Sequence, residues 1–380
     1  VIDGGGCMET YDVLIVGGGP AGSSCAGALR RAGFDVLVVD KAAFPRHKVC
    51  AGWITPAVFA ALEIDPAEYG TGRTCQPITA FRAGRMGGSE RRIDYRRPVS
   101  YGIRRCEFDD YLLRRCGART SLGEPVRDVR PSGGTWVVNG HHAAAMLVAA
   151  GGHFCPVARQ FLEGDGRRGP VVAAQEIEFP LDARQRAACR VEPEAPEIYF
   201  CDDLLGYGWC FRKGDYLNVG LGREDGDRLG EHATRFCDWL KRRGRIPADA
   251  PAKLRGHAYH LRVHSPRKLV DDALLAVGDA AGLAHAASGE GIRPAVESGL
   301  LAARAIVAAR GDYRQERLQP YAETIEARFG RREPAGGALS WIPAAVRRFV
   351  GVRLLGTRWF VRHVVLDRGF LNAHQAPLDG

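Results

Sequence analysis

A chain of 380 residues, 46% hydrophobic and 26% charged, has the composition of a globular protein. It is too long for one ordinary core and suits two interleaved domains with an appendage. No apolar run crosses a bilayer without an interrupting charge, which excludes an integral membrane protein. Eleven cysteines at irregular spacings, with no CxxC pair and no secretory h-region, point to reduced thiols in a cytoplasmic setting.

The segment VIDGGGC carries no pattern that a core could use, so the folded part is expected to open at Met8. YDVLIVGGGPAGSSCAGALRRAGFDVLVVDK then reads as an apolar strand, a glycine cluster, an Ala-rich helix, a Gly break and a second strand ending in Asp40. That is the first βαβ unit of a dinucleotide fold. Gly17 serves the tight turn, Gly19 lets the backbone approach a pyrophosphate, and Gly22 lets the helix lie close to the strand. Pro20 and Ala21 open the helix, whose positive end meets phosphate charge. Asp40, about 20 residues beyond the glycines, can accept hydrogen bonds from ribose hydroxyls, and Lys41 follows it. This turn serves NAD and FAD alike.

Strand-like alternation in 77–103 and 171–222 predicts a second, largely antiparallel sheet, with EGDGRRGP (163–170) as loop or hinge and a polar helix near 231–243 over the sheet. In GYGWCFRK (206–213), Tyr207, Trp209 and Phe211 share one face of a strand while Cys210 and Arg212 point away. By periodicity alone that face is a packed core. No His/Cys/Asp cluster has metal-ligand spacing and no nucleophilic Ser elbow is present, so no metal is expected. His153 reads as a structural histidine.

Near the far end, ALLAVGDAAGLAHAASGEGIRPAVESGLLAARAI gives a strand, Gly278-Asp279, a small-residue loop, and a helix beginning near Gly289, Gly291 and Ile292. FAD is longer than NAD on the riboflavin side. Asp279 at a strand end and the orphan amides of the next helix provide the second anchor it needs. From 331 to 368 eight arginines face two acids, and LSWIPAAVRRFVGVRLLGTRWFVRHVVL reads as one or two basic amphipathic helices. Trp341, Phe349, Leu354, Leu355, Trp359 and Phe360 are available for burial. The stretch 338–365 is either a peripheral contact with an anionic membrane, at its inner face, or a helical cap with its arginines in water. Nucleic acid is not expected as a partner, since no recognition module accompanies the charge.

The ordered GxGxxG, the Arg before Phe108-Asp109 in YGIRRCEFDDYL, and the late GD motif together resemble the flavoprotein monooxygenase and geranylgeranyl reductase superfamily over about residues 10–310. The resemblance implies an α/β, p-hydroxybenzoate hydroxylase-like fold. A Rossmann-type FAD-binding domain would occupy 8–72, 104–168 and 266–333, and an inserted, largely antiparallel substrate domain 73–103 and 169–265. A helical tail would follow at 334–380. It also places Arg105, rather than Arg104, beside the flavin or its phosphates.

Two further stretches decide the branch. In LVAAGGHFCPVAR, Gly151 stands where aromatic hydroxylases carry Asp, which weakens a hydroxylase reading. FPRHKVCAGWITP (44–56) resembles the PxxKxCGG segment of geranylgeranyl reductases, with Ala51 at the first Gly, and GYGWCFRK resembles their YxWxFP motif, with Arg212 at the Pro. Tryptophan halogenases carry a related WxWxIP motif. The geranylgeranyl reductase resemblance implies that Tyr207, Trp209 and Phe211 line the substrate side of the flavin and that Cys50 lies near it, as proton donor or as packed thiol. Lys48 and His47 could hold flavin or substrate phosphate charge. The implied function is an FAD-dependent reductase of carbon–carbon double bonds in an isoprenoid or other hydrophobic substrate, with NAD(P)H or a ferredoxin-like protein as electron donor. The alternatives are a flavin-dependent monooxygenase or halogenase, and a flavoprotein electron relay or redox sensor without turnover.

Overall fold

The computed structural model describes residues 8–163, 171–331 and 344–378. Residues 164–170, read as a hinge, and Trp341 fall outside that description, as does the segment before Met8. The chain divides into two compact units, 1–46, 108–169 and 259–332, and 47–107, 170–258 and 333–380. Residues 47–72, expected with the nucleotide turn, pack in the second unit, and so does the tail.

The first unit is built on an eight-stranded sheet. The strands Glu9–Val16, Val36–Asp40, Arg119–Leu122, His142–Ala149 and Leu274–Ala276 run parallel. Val129–Ser132, Thr135–Val138 and Val270–Asp271 complete it in antiparallel fashion. Val13, Leu14, Ile15, Val36, Val38 and Val39 are fully buried, as expected where a parallel sheet is covered on both faces and its strands read as continuous apolar runs. The helices Pro20–Arg31 and Ile292–Ala309 lie against each other, which the small residues of both sequences permit. This order puts the ends of Glu9–Val16 and Leu274–Ala276, with the turns that follow them, on one edge of the sheet.

The second unit carries a seven-stranded sheet in the spatial order Arg255–Tyr259, Val172–Pro180, Tyr216–Arg223, Gly206–Lys213, Glu197–Phe200, Ala80–Arg85, Glu90–Asp94. Its registered pairs are antiparallel except Glu197–Phe200 with Ala80–Arg85. A smaller sheet joins Trp53–Ile54, Ser100–Ile103 and Cys75–Ile78. Helix Leu229–Arg242 buries Ala233, Phe236 and Leu240 among Phe179, Cys210, Val219 and Leu221, so Cys210 faces this helix and the aromatic side chains of its strand face the other way. The tail forms Ala344–Leu355, a short turn Arg358–Phe360, and a wider helix Val361–Phe370. Among the described residues no helix is long and apolar enough to cross a membrane, and the ten described cysteines are all free thiols.

Candidate functional site

The nucleotide turn begins where Glu9–Val16 ends. Gly17 sits at φ +115°, and a Cβ there would come within 2.4 Å of the Ala150 carbonyl oxygen. A Cβ on Gly22 would come within 1.9 Å of the Gly17 oxygen, so neither position admits a side chain. Asp40 braces the turn: its carboxylate accepts the Gly18 amide at 2.8 Å and the Ala42 amide at 2.9 Å. Helix Pro20–Arg31 starts from Gly19 with no side-chain cap, Pro20 at its first position and Ala21 buried behind it. Its first-turn amides thus suit an external anion. Among the described residues beyond its own helix and neighbours, the group that a Cβ built on Gly19 would meet is the Arg46 guanidinium, at 3.3 Å. Arg46 pairs with fully buried Asp109 at 3.1 Å. Bare glycine, an uncapped helix and a tethered cation form a cradle that fits the pyrophosphate of a dinucleotide. Lys41 is exposed beside it.

The residues expected to give a second anchor fall at the turn Gly278–Ala280. Gly278 donates its amide to Ser298 Oγ at 2.9 Å, and a Cβ on Gly291 would stand 3.2 Å from Asp279 Oδ1. The Asp279 carboxylate is therefore at the start of Ile292–Ala309, another helix without a side-chain cap. Gly289 precedes that helix in a left-handed conformation, and Ile292 is buried at its first position. Arg267, 1% exposed, clamps the turn from behind by donating to the carbonyls of Asp279 (3.2 Å), Ala280 (3.1 Å) and His153 (2.5 Å). Sequence reading missed Arg267 and Arg46, because neither lies inside a glycine motif.

In the second unit three of the sequence candidates meet. Strand pairing puts Glu176, Gly220 and Trp209 in one row across the sheet, with Glu178, Asn218 and Phe211 in the next row on the same face. Gly220 leaves room for the indole of Trp209 to fold across it; a Cβ there would lie 2.3 Å from the ring. Asn218, fully buried, is the hub of this face. Its oxygen accepts the Trp209 indole N–H at 2.7 Å, and its amide nitrogen donates to Glu176 (2.6 Å), the Cys50 carbonyl (3.1 Å) and Glu178 (3.3 Å). Lys213 forms an ion pair with Glu178 and donates to the carbonyls of Ala51 (3.1 Å) and Ile103 (3.0 Å), which ties the Cys50 loop to the sheet.

The two glutamates are driven apart in acidity. Burial pushes Glu176 up to about 7, against the pull of the Lys213 charge and of hydrogen bonds from Asn218 and the Cys50 amide. Glu178 is also disfavoured by burial, but Lys213, Asn218 and Arg104 together hold it below the usual carboxylate range. Neighbouring carboxyls separated in this way divide into a proton holder and a fixed charge.

Tyr207 is half-buried against Trp209, and both Tyr207 and Trp53 are met by Phe370 of the tail. The Phe370 ring stacks on Trp53 at 5.4 Å and stands edge-on to Tyr207 at 5.1 Å. Phe211 is buried beside Trp53 at 5.8 Å. The aromatic face therefore meets side chains from the tail and the Cys50 loop. Lys48 reaches His257 at 2.6 Å. Arg104 pairs with Glu107 and Glu178 and lies over the Tyr216 ring, whereas Arg105 is buried at the start of helix Arg105–Arg115.

One grouping departs from the expectation that no cluster has ligand spacing. Glu124, His141 and His142 bring their ligating atoms within 4.8 Å of one another. The cluster is also tied into hydrogen bonds inside the protein, although His142 Nδ1 is buried without a hydrogen-bond partner among the described residues. Glu124 takes hydrogen bonds from Ser121 and Asn139, His141 is bonded to the Asn139 carbonyl, and His142 lies 3.4 Å from Glu9. It ties together the starts of two parallel strands at the edge opposite the glycine turn.

A family model described as an FAD binding domain matches residues 10–63. The digeranylgeranylglycerophospholipid reductase of Thermoplasma acidophilum is 26% identical over 364 residues, covering 86% of this chain and 85% of that protein. The menaquinone reductase of Mycobacterium tuberculosis is 28% identical over 333 residues, covering 78% and 76%. A geranylgeranyl bacteriochlorophyll reductase-like structure from Thermoplasma acidophilum has a TM-score of 0.70 at 23% identity over 92% of this chain and 88% of that one. The halogenase PltM has a TM-score of 0.66 at 16% identity, over 84% and 74%, so it shares the fold alone. The chain is an FAD-dependent oxidoreductase. Within that class it is geranylgeranyl reductase-like, and FAD is its cofactor.

Proposed function

We propose that this oxidoreductase reduces carbon–carbon double bonds in an isoprenoid or similarly hydrophobic substrate. The observation that carries the reading is the Asn218 hub, which gathers Trp209, the Cys50 loop and a proton-holding glutamate on one aromatic face. Bound and reduced, FAD supplies a hydride. An isolated alkene accepts hydride poorly, so a proton must reach the other carbon, and the hub offers two acids, the Cys50 thiol and Glu176. Tyr207 and Trp209 give flat apolar walls that orient an unsaturated chain and exclude water. The glycine turn, Asp40, Arg46 and Asp279 are the residues that would hold FAD.

Support for a lipid substrate comes from the relative named as a digeranylgeranylglycerophospholipid reductase. It also comes from the tail, which exposes Val346, Phe349, Val350, Leu354 and Trp359 among Arg348, Arg353 and Arg358. Such a surface suits peripheral contact with an anionic membrane. The electron donor in this reading is NAD(P)H or a ferredoxin-like protein. A second reading is that the reduced enzyme uses oxygen as a monooxygenase or halogenase, and the fold shared with PltM is compatible with either.

Anaerobic mixing of chemically reduced enzyme with a geranylgeranyl lipid separates the two. The proposal expects flavin reoxidation and a product heavier by two hydrogens per bond reduced. Product formation that requires oxygen, with no anaerobic reoxidation, would support the second reading.

A further inference from the structure

Reduction of an alkene consumes a proton at every turnover, and resting on the double-bond reading, we propose that Glu176 is the buried store of that proton and that His47 reloads it from solvent. The placement is specific. Glu176 is 1% exposed and bonded to Asn218, which also meets the Trp209 indole, the Cys50 carbonyl and, at 3.3 Å, Glu178. Its second oxygen lies 3.8 Å from His47 Nε2, and the His47 side chain is 36% exposed. A carboxyl sealed from water on the hub side and met by a solvent-accessible imidazole on the other is connected to solvent through one residue.

The surroundings keep this carboxyl, and not its neighbour, as the exchanging group. Glu178 on the same strand is committed to Lys213 and Arg104. Lys213, at the end of the Trp209 strand, is fixed by two carbonyls as well. From the other packed elements, Arg255 acts on His47, and Lys48 is held by His257. Burial, followed by Arg255, holds His47 below the ordinary imidazole value, so the ring gives up a proton readily once it has taken one from water. Burial raises Glu176 to about 7, where a carboxyl can both hold and release a proton near neutrality.

The step balances. FAD, when bound and reduced, would supply the hydride and its two electrons to one alkene carbon, while the Glu176 O–H bond breaks and its proton forms the new C–H bond at the other carbon. The resulting carboxylate takes a proton from the His47 imidazolium, which regains one from water.

Two measurements test the assignment. Infrared difference spectra of the flavin-loaded protein across pH should show a buried carboxyl titrating at about 7 that vanishes in Glu176→Gln. Its return after a pH jump should slow in His47→Gln. Anaerobic reoxidation of the chemically reduced enzyme by a geranylgeranyl lipid should slow by about a hundredfold or more in Glu176→Gln and lose its dependence on that ionisation. Glu176→Gln that keeps pace with wild type, or a spectrum without the titrating band, overturns the assignment alone. A wild type that no unsaturated lipid reoxidises overturns the double-bond reading itself, and with it the use of the proton.

Discussion

The acidity of Glu176 also makes a thermodynamic demand that needs no substrate. In the unfolded chain the group titrates near 4.5, and in the folded protein near 7. Below the lower value both states are protonated and Glu176 costs nothing. Between the two values the unfolded state has lost a proton that the folded state still holds, so stability falls as pH rises. Above the upper value the folded state bears a buried carboxylate and the cost is constant. At about 1.4 kcal/mol per pH unit, the interval amounts to about 3 kcal/mol. Glu176→Gln has nothing to ionise. It offers one acceptor where Asn218 and the Cys50 amide supply two donors, which adds an offset of about 1 kcal/mol that does not vary with pH. Urea unfolding of the two proteins, followed by tryptophan fluorescence over a pH series, isolates the group. The stability of wild type minus that of Glu176→Gln should drop by about 3 kcal/mol on going from about pH 4.5 to about pH 7 and then level off. A difference that stays flat, or rises with pH, would refute the reasoning and return Glu176 to an ordinary ionised carboxylate.

Gly22→Ala and Asp279→Ala should each lower the FAD content of purified protein, the first by forcing a Cβ onto the Gly17 oxygen and the second by removing the carboxylate at the second helix start; full occupancy in both would contradict the two-anchor site. Trp209→Phe leaves the buried Asn218 oxygen without its indole donor, a cost of about 1–3 kcal/mol in denaturation experiments, and should slow anaerobic reoxidation beyond what that loss of stability explains. Phe370→Ala removes the ring that joins Trp53 and Tyr207, at a cost of about 3–5 kcal/mol. Hydrogen exchange should then accelerate in Val361–Phe370 while the seven-stranded sheet stays protected; uniform protection throughout would show that the tail is held by other contacts.

How far the sequence could be read depended on whether a feature is local. The glycines of the nucleotide turn were legible because they lie within six consecutive residues, Gly17 and Gly22 each excluding a side chain by nearby backbone, and Asp40 was legible because it closes the next strand. Asp279 was legible for the same reason, as one acid between a strand and a helix. The hub was not. Cys50, Glu176, Trp209 and Asn218 come from four separate segments and meet only because antiparallel pairing aligns Gly220 with both Glu176 and Trp209. One clue was present in AAQEIEFP, where two glutamates two residues apart share a strand face with alanine. Charges on a face that must be covered need partners, and Lys213, Arg104 and Asn218 are those partners.

The tail shows the same limit from the other side. Its composition allowed either a membrane contact or a cap, because apolar residues and arginines alternate without a single clear stripe. The fold assigns different lengths of it to different work. Val361, Val365, Leu366 and Phe370 are buried in the second unit, so this length serves as a cap on the aromatic face. Phe349, Val350 and Trp359, which precede it, remain exposed beside arginines. The membrane contact proposed above would use that exposed length, and its strength should therefore fall with salt while the cap stays closed. Residues only a dozen positions apart can be separated in function in this way because Val361–Phe370 already has its partners within the protein, and the exposed helix before it supplies the apolar and basic surface that an anionic bilayer can meet.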